Sequence, residues 1–285
     1  MKAHEIYSKL DADFIKPGLN DAWAQYMPEL AEFLCENFKA RSMGLTCDHS
    51  VEIKKAYTAV FPSDNVMRSI IDDGAQEALL FLHHPSDWDL GKAPNVFQHM
   101  NRELLTEFRA RKISIYTLHV PLDNYGPYST SVSLARALGL EIQKPFFEYC
   151  GGLAGIIGVT ARSTITELLT DFEMVIRHRA SCYQYGREVI AGGRVAVIAG
   201  GGNDAGAYEK ISAEKVDILV TGITKLTTHK PSEKAHQRAK ELGINIIGGT
   251  HYSTEKFACL AMCDYFRGFG LESKFIAGKP GLMDL

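Results

Sequence analysis

Long apolar runs are missing from this chain of 285 residues. No stretch approaches the roughly 18–20 consecutive apolar residues that a bilayer-spanning helix needs. The opening MKAHEIYSKLDADF carries charges throughout and has no apolar block, so no secretory signal is expected and a cytoplasmic protein is. Cysteine is sparse. Six residues (Cys35, Cys47, Cys150, Cys182, Cys259 and Cys263) are spread without a Cys-x-x-Cys spacing. They read as reduced, mostly buried thiols rather than a disulfide framework. Excess charge of either sign is also lacking: the formal net charge is −3. Nothing therefore calls for a nucleic-acid backbone or an anionic membrane as partner. There is no low-complexity tract and no repeat of fixed period.

What is present is the balance of a folded protein, 46% hydrophobic and 23% charged. Strand and helix patterns alternate along it. Asp64 to Asp73 reads as a helix capped by Ser63 and stopped by Gly74, with Val66, Met67, Ile70 and Ile71 on one face. The run Ala78–Leu82 is continuously apolar, as a strand covered on both faces would be, and ends in His83-His84-Pro85. Asn95 to Arg109 has a helical pattern, followed by a strand over Ile113–Leu118 that runs into His119-Val120-Pro121-Leu122-Asp123. Ser129 or Thr130 caps a further helix, closed by Gly139. Gly151–Gly155 opens a second lobe, in which Thr164 and Glu167 fit a capping box. Strands follow at Arg194–Ala199, Val216–Val220 and Ile244–Ile247. A helix capped by Ser232 precedes the last of these, and Lys274–Ala277 makes a final short strand. The rhythm predicts an α/β protein with mixed sheets flanked by helices in two lobes.

Chemistry collects where strands end. His83, His84, Asp123, His251 and Glu255 each follow a hydrophobic strand, and α/β sites form at such ends. His251 and Glu255, four apart at a helix start, share a helix face. His83 and His84 are adjacent, so their side chains are expected to diverge and to suit two neighbouring ions. Three imidazoles and two carboxylates are donor atoms enough for two divalent ions. Without thiolate they suit zinc, iron, manganese, cobalt or nickel. His119, four residues before Asp123, is the candidate catalytic group, as a proton carrier or an outer partner of the ligands. The residues alone leave a polar, hydrogen-bonded cleft as the other reading.

Other motifs carry less. Gly200-x-Gly202-x-x-Ala205 imitates a dinucleotide fingerprint, but the next strand ends Leu219-Val220-Thr221 without the acidic residue that ribose recognition requires. A tight strand–helix turn is the simpler reading, with amides that could receive a phosphate. Cys259 and Cys263 continue the helical spacing of His251 and Glu255 into an apolar run, which marks them as core. Trp88, Tyr125 and Tyr252 flank the motifs as packing or stacking groups.

Three segments also carry a resemblance. ALLFLHHPSDW (Ala78–Trp88), HVPLDN (His119–Asn124) and GGTHYSTEKF (Gly248–Phe257) resemble the three metal motifs of the Nif-three-like family, whose members are also described as type 2 homologues of GTP cyclohydrolase I. VAVIAGGGN (Val195–Asn203) and AEKVDILVTG (Ala213–Gly222) resemble its intervening segments in the same order. The resemblance implies that His83, His84, Asp123, His251 and Glu255 hold two divalent metal ions per chain, in a cleft between two α/β lobes. It implies a homohexamer and a nucleotide-like or phosphorylated small-molecule substrate, with GTP ring opening as the family's suggestion. Val120 and Pro121 replace the threonine and asparagine usual in the family. The segment Ile223–His229 is looser and longer than the family's, with His229 the candidate for its histidine. The expectation is a metal-binding lobe of residues 1–125 with 247–285, and a second lobe of 126–246. A metal-dependent hydrolase is the leading reading, and a non-enzymatic metal-handling or scaffold hexamer is the alternative.

Overall fold

Parallel strands buried on both faces organise the molecule, whose computed structural model describes residues 1–226 and 230–285. His229 lies outside the described residues. Two compact units divide the chain. The first comprises Met1–Asp123, Cys150–Gly152 and Cys259–Lys279; the second comprises Asn124–Tyr149, Leu153–Ala258 and Pro280–Leu285.

In the first unit, five strands lie in the order Gly44–Cys47, Ile113–Thr117, Ala78–Leu82, Lys55–Ala59, Glu272–Phe275. The last four run parallel and the Gly44–Cys47 edge is antiparallel. Period-two alternation accounts for the apolar run in the central strand. Ala78, Leu80 and Leu82 join a cluster with Phe38, Met67 and Phe108. Phe81 faces the other way and meets Phe266 edge-on, with ring centroids 5.8 Å apart. Each of the buried Leu, Phe and Met side chains stabilises the fold by roughly 1.5–3 kcal/mol. The Asp64–Asp72 helix starts where Ser63 accepts a hydrogen bond from the Val66 amide. Register then places the chemistry: Leu82 lies opposite both Ala59 and Thr117, so His83 and His119 emerge at one end of one sheet.

The helix expected over Asn95–Arg109 is shorter, Arg102–Ala110. The Asn101 side chain accepts from the Glu103 amide and so fixes the start there, while Phe97 pairs with Trp88 in a short antiparallel ladder.

The second unit holds six strands in the order Glu141–Tyr149, Gly152–Val159, Arg194–Ile198, Ile218–Thr221, Asn245–Gly248, Ser181–Tyr183. Again both faces are covered. Val195, Val197, Ile218, Val220 and Ile247 pack with Phe172 on one side. Ala196, Ile198, Leu219 and Ile246 pack with Tyr208 and Ala235 on the other. The capping box at Thr164 and Glu167 is present. The helix expected to begin at Ser232 spans Lys230–Leu242, with Pro231 in its first turn. The second unit also takes residues 247–258 and 280–285, which the sequence placed with the first lobe. The reason is that Asn245–Gly248 is hydrogen-bonded between Ile218–Thr221 and Ser181–Tyr183. No helix among the described residues is long and apolar enough to cross a membrane.

Candidate metal centre

The ladder of the first sheet continues past its strand ends. The His83 amide donates to Ala59 O, the His84 amide to Val60 O and the Leu118 amide to Leu82 O. These bonds hold the backbone of the His-His pair rigidly. Adjacent residues of a pleated strand would diverge, but the chain bends at His83, and the two rings lie with centroids 4.3 Å apart. The expected divergence is thus corrected: His83, His84 and His119 each offer a ring nitrogen, all within 4.8 Å of one another.

Anchoring fixes which nitrogen is presented. His83 Nδ1 lies 2.9 Å from Leu118 O, which can only accept, so Nδ1 carries a proton and Nε2 is the ring nitrogen left to face an ion. His83 Nε2 lies 3.5 Å from Asp123 Oδ1. His119 Nδ1 donates in the same manner to Asp21 Oδ2, at 3.0 Å, and its Nε2 is 3.9 Å from Asp123 Oδ2. The one-turn helix Val120–Asp123, closed by the Asp123 amide on His119 O, creates that spacing. His84 is oriented by rings, stacked on Phe61 at 4.8 Å and edge-on to Trp23 at 5.9 Å.

In the second unit the pair is set at a helix start. His251–Arg267 begins after Thr250, whose hydroxyl accepts from the Ser253 amide while Ser253 Oγ accepts from the Thr250 amide. His251 Nε2 and Glu255 Oε1 come within 3.1 Å, one turn apart. The Gly200 turn packs directly against them. Its φ is +76°, and a Cβ there would stand 2.2 Å from Glu255 Oε1. Glycine is therefore required twice over, by the backbone and by the carboxylate. The Gly200 amide donates to Thr254 Oγ1, and Gly200 O accepts from the Ile223 amide. This turn is a support for the helix pair rather than a nucleotide fingerprint.

Every sequence-predicted ligand is buried: His83 is 0% exposed, His84 2%, Asp123 9%, His251 6% and Glu255 3%. Buried carboxylates are costly unless they meet positive charge or donors. Imidazoles anchored through Nδ1, as His83 and His119 are, with carboxylates within reach are the donor chemistry of a divalent first-row ion. The residues fit such a metal. Sequence reading missed Asp21, Gly200 as a packing glycine, Thr254 and Asp284. Asp21 sits in an irregular segment with no pattern to mark it, and only Gly200 had a visible signal, its Gly-Gly-Gly turn. Cys259 and Cys263 are core, at 0% and 3% exposure.

Known proteins resemble this chain in sequence and in fold. A Pyrococcus abyssi protein named GTP cyclohydrolase 1 type 2 homolog is 29% identical over 248 residues, spanning 85% of this chain and 91% of the relative. A Deinococcus radiodurans protein of the same name is 28% identical over 243 residues, spanning 84% and 86%. Among solved structures, the structural-genomics protein ybgI, described as of unknown function, superposes with a TM-score of 0.75 at 21% identity, covering 98% of this chain and 100% of that one. Reduced HcgD from Methanocaldococcus jannaschii gives a TM-score of 0.67 at 23% identity, covering 98% of each. At these identities the structural likeness is one of fold. The Duf34/NIF3 (NGG1p interacting factor 3) family profile matches residues 22–280, and the chain belongs to that family.

Proposed function

We propose that the chain is a dinuclear metal protein whose ligands are His83, His84, Asp123, His251 and Glu255, and that it hydrolyses a nucleotide-like or phosphorylated small molecule. The observation that carries the reading is the anchored imidazole set: His83 and His119 both give an Nδ1 proton to a fixed acceptor and turn Nε2 toward the one buried carboxylate of Asp123. The name shared by the relatives supports a hydrolytic reaction of the cyclohydrolase type. When bound, divalent ions lower the pKa of water and polarise a phosphoryl or carbonyl oxygen.

The chain's own residues supply the rest. His119 takes and returns a proton at Nε2, and Asp21 at Nδ1 holds the ring in orientation and stabilises the imidazolium that forms. Asp123, one helical turn from His119, lies with Oδ2 3.9 Å from Nε2, close enough for its charge to favour that imidazolium.

Elemental analysis joined to a nucleotide and phosphoester screen tests this reading. Expected are about two metals per chain, by analogy with two-metal hydrolases, reduced by Glu255→Ala. Turnover should follow occupancy and vanish in His84→Ala. One metal or none in carefully purified wild type sinks the proposal. Full occupancy without turnover on any substrate would move it to metal handling. Nucleic acid, membrane and nicotinamide cofactor have no part in it, and a homohexamer is the assembly proposed, to be measured by mass photometry.

A further inference from the structure

We infer that Asp284 is a positioning residue for the His251–Glu255 pair, and that the segment 280–285 is a strap whose docking sets how tightly the pair holds a divalent cation. The inference rests on the metal reading above and goes beyond it, to a residue outside every ligand motif. Asp284 is an acidic residue with only 1% of its surface exposed. Its Oδ2 accepts from the His251 amide at 2.8 Å, across 33 positions of sequence. The first amides of a helix have no partner inside it. Thr250 and Ser253 satisfy each other at this end, so the His251 amide takes its acceptor from the strap. A carboxylate there also opposes the positive end of a helix that runs to Arg267.

The same residue holds a second element. Asp284 O accepts from the Thr224 and Lys225 amides, both at 2.9 Å, just after the Ile218–Thr221 strand. The neighbouring Ile223 amide donates to Gly200 O, and the Gly200 amide to Thr254 Oγ1 on the metal helix. Two routes thus converge on the first turn of that helix, one through Gly200 and one through Asp284. The short turn Leu282–Asp284 presents the carboxylate and the carbonyl from one residue. Leu282 and Met283 beside it remain 57% and 50% exposed. Leu282 and Met283 therefore bury little apolar surface, and Asp284 ties the strap down through its bonds to Thr224, Lys225 and His251.

Docking and cation binding should then be linked: an ion on His251 and Glu255 stabilises the first turn, and the ordered turn retains the strap. Asp284 supplies its hydrogen bond to the ligand residue's own backbone, and loss of such outer partners typically weakens metal affinity by about 10–100-fold.

The test uses the full chain, with Co²⁺ as the probe. Wild type, Asp284→Ala and Asp284→Asn are titrated by calorimetry and by the visible spectrum of bound Co²⁺, and hydrogen exchange is followed over 280–285. Expected are a Co²⁺ affinity about 10–100-fold weaker in Asp284→Ala with an altered spectrum, and substantial rescue in Asp284→Asn, which keeps the acceptor oxygen. Exchange over the strap should slow in wild type when Co²⁺ binds. Unchanged affinity and spectrum in both variants overturn the inference and leave the metal reading standing. Wild type that binds no Co²⁺ overturns both. If Asp284→Ala does not fold, Asp284→Asn and wild-type exchange decide: a strap indifferent to Co²⁺ overturns the inference.

Discussion

The two donor sets are positioned by different physical means. His83, His84 and His119 follow the ends of parallel strands, and a continued backbone ladder sets where they stand. His251 and Glu255 stand on a helix start, and 3.6-residue periodicity sets their spacing. The first set needs ring anchors, because a strand end fixes a backbone but not an imidazole. Leu118 O, Asp21 and the rings of Phe61 and Trp23 provide them. The second set needs room and an end cap, because a helix fixes direction but crowds whatever packs on it. Gly200 provides the room, and Thr250 with Asp284 the cap. At strand ends, therefore, it is the side chain that needs a partner, and at helix starts it is the backbone amide.

The sharpest way to break that contrast is Gly200→Ala. Adding a Cβ to the left-handed backbone costs about 1–3 kcal/mol. Overlap with the Glu255 carboxylate adds about 1–3 kcal/mol more, as overpacking does. Gly74, with φ +73° and open space where a Cβ would stand, isolates the backbone part. Urea unfolding should show Gly200→Ala losing clearly more than Gly74→Ala, with reduced Co²⁺ binding in Gly200→Ala only. Equal losses would mean that the turn does not shape the carboxylate's position. A smaller effect on stability is expected on the strand-end side. Asp21→Ala removes the acceptor for His119 Nδ1 and, because His119 is the proton carrier rather than a proposed ligand, should lower turnover by about 10²–10⁴-fold while Co²⁺ affinity and global stability change little. Asp21→Asn, whose amide oxygen still accepts, should recover part of that loss.

These partners also mark where sequence reading stops. The residues proposed as ligands stand out because strand ends and i,i+4 spacing are local patterns: the run Ala78–Leu82 led to His83, and the helix start after Gly249 led to Glu255. Local signals likewise gave Ser63 as a cap and Thr164–Glu167 as a capping box. Asp21 and Asp284 act across 98 and 33 positions, and nothing in their own neighbourhoods marks them. The Glu141–Tyr149 and Gly152–Val159 hairpin was missed for a related reason. Its glycines lower strand propensity, yet Gly155 is needed because the Phe146 ring occupies the space a Cβ would take. The helix pattern before Asn101 failed because one side-chain cap outweighed a periodicity extending past it.

The smallest effect concerns a carboxylate unlike either buried set. Asp73 lies on the first unit's surface, hydrogen-bonded by Lys274, Tyr57 and Lys55, and these donors hold its carboxyl well below the usual carboxylate range. Asp73 is 24% exposed at the side chain, so solvent screening limits what the cluster contributes to about 0–1 kcal/mol. The sign follows from linkage: a depressed folded pKa means the contribution is complete above the unfolded value, 3.8, and fades as pH falls below it. Asp73→Asn should therefore be slightly less stable than wild type at pH 7, and the gap should shrink as pH drops below about 4. Urea unfolding of both proteins at pH 7 and pH 3 measures it. A gap that stays constant would show that packing, not charge, connects Asp73 to its neighbours. Exposed carboxylates of this kind are tuned by their donors at little energetic consequence. Asp123 and Glu255, at 9% and 3% exposure, have no such latitude, because desolvation makes the charge that meets them decide whether the fold tolerates them.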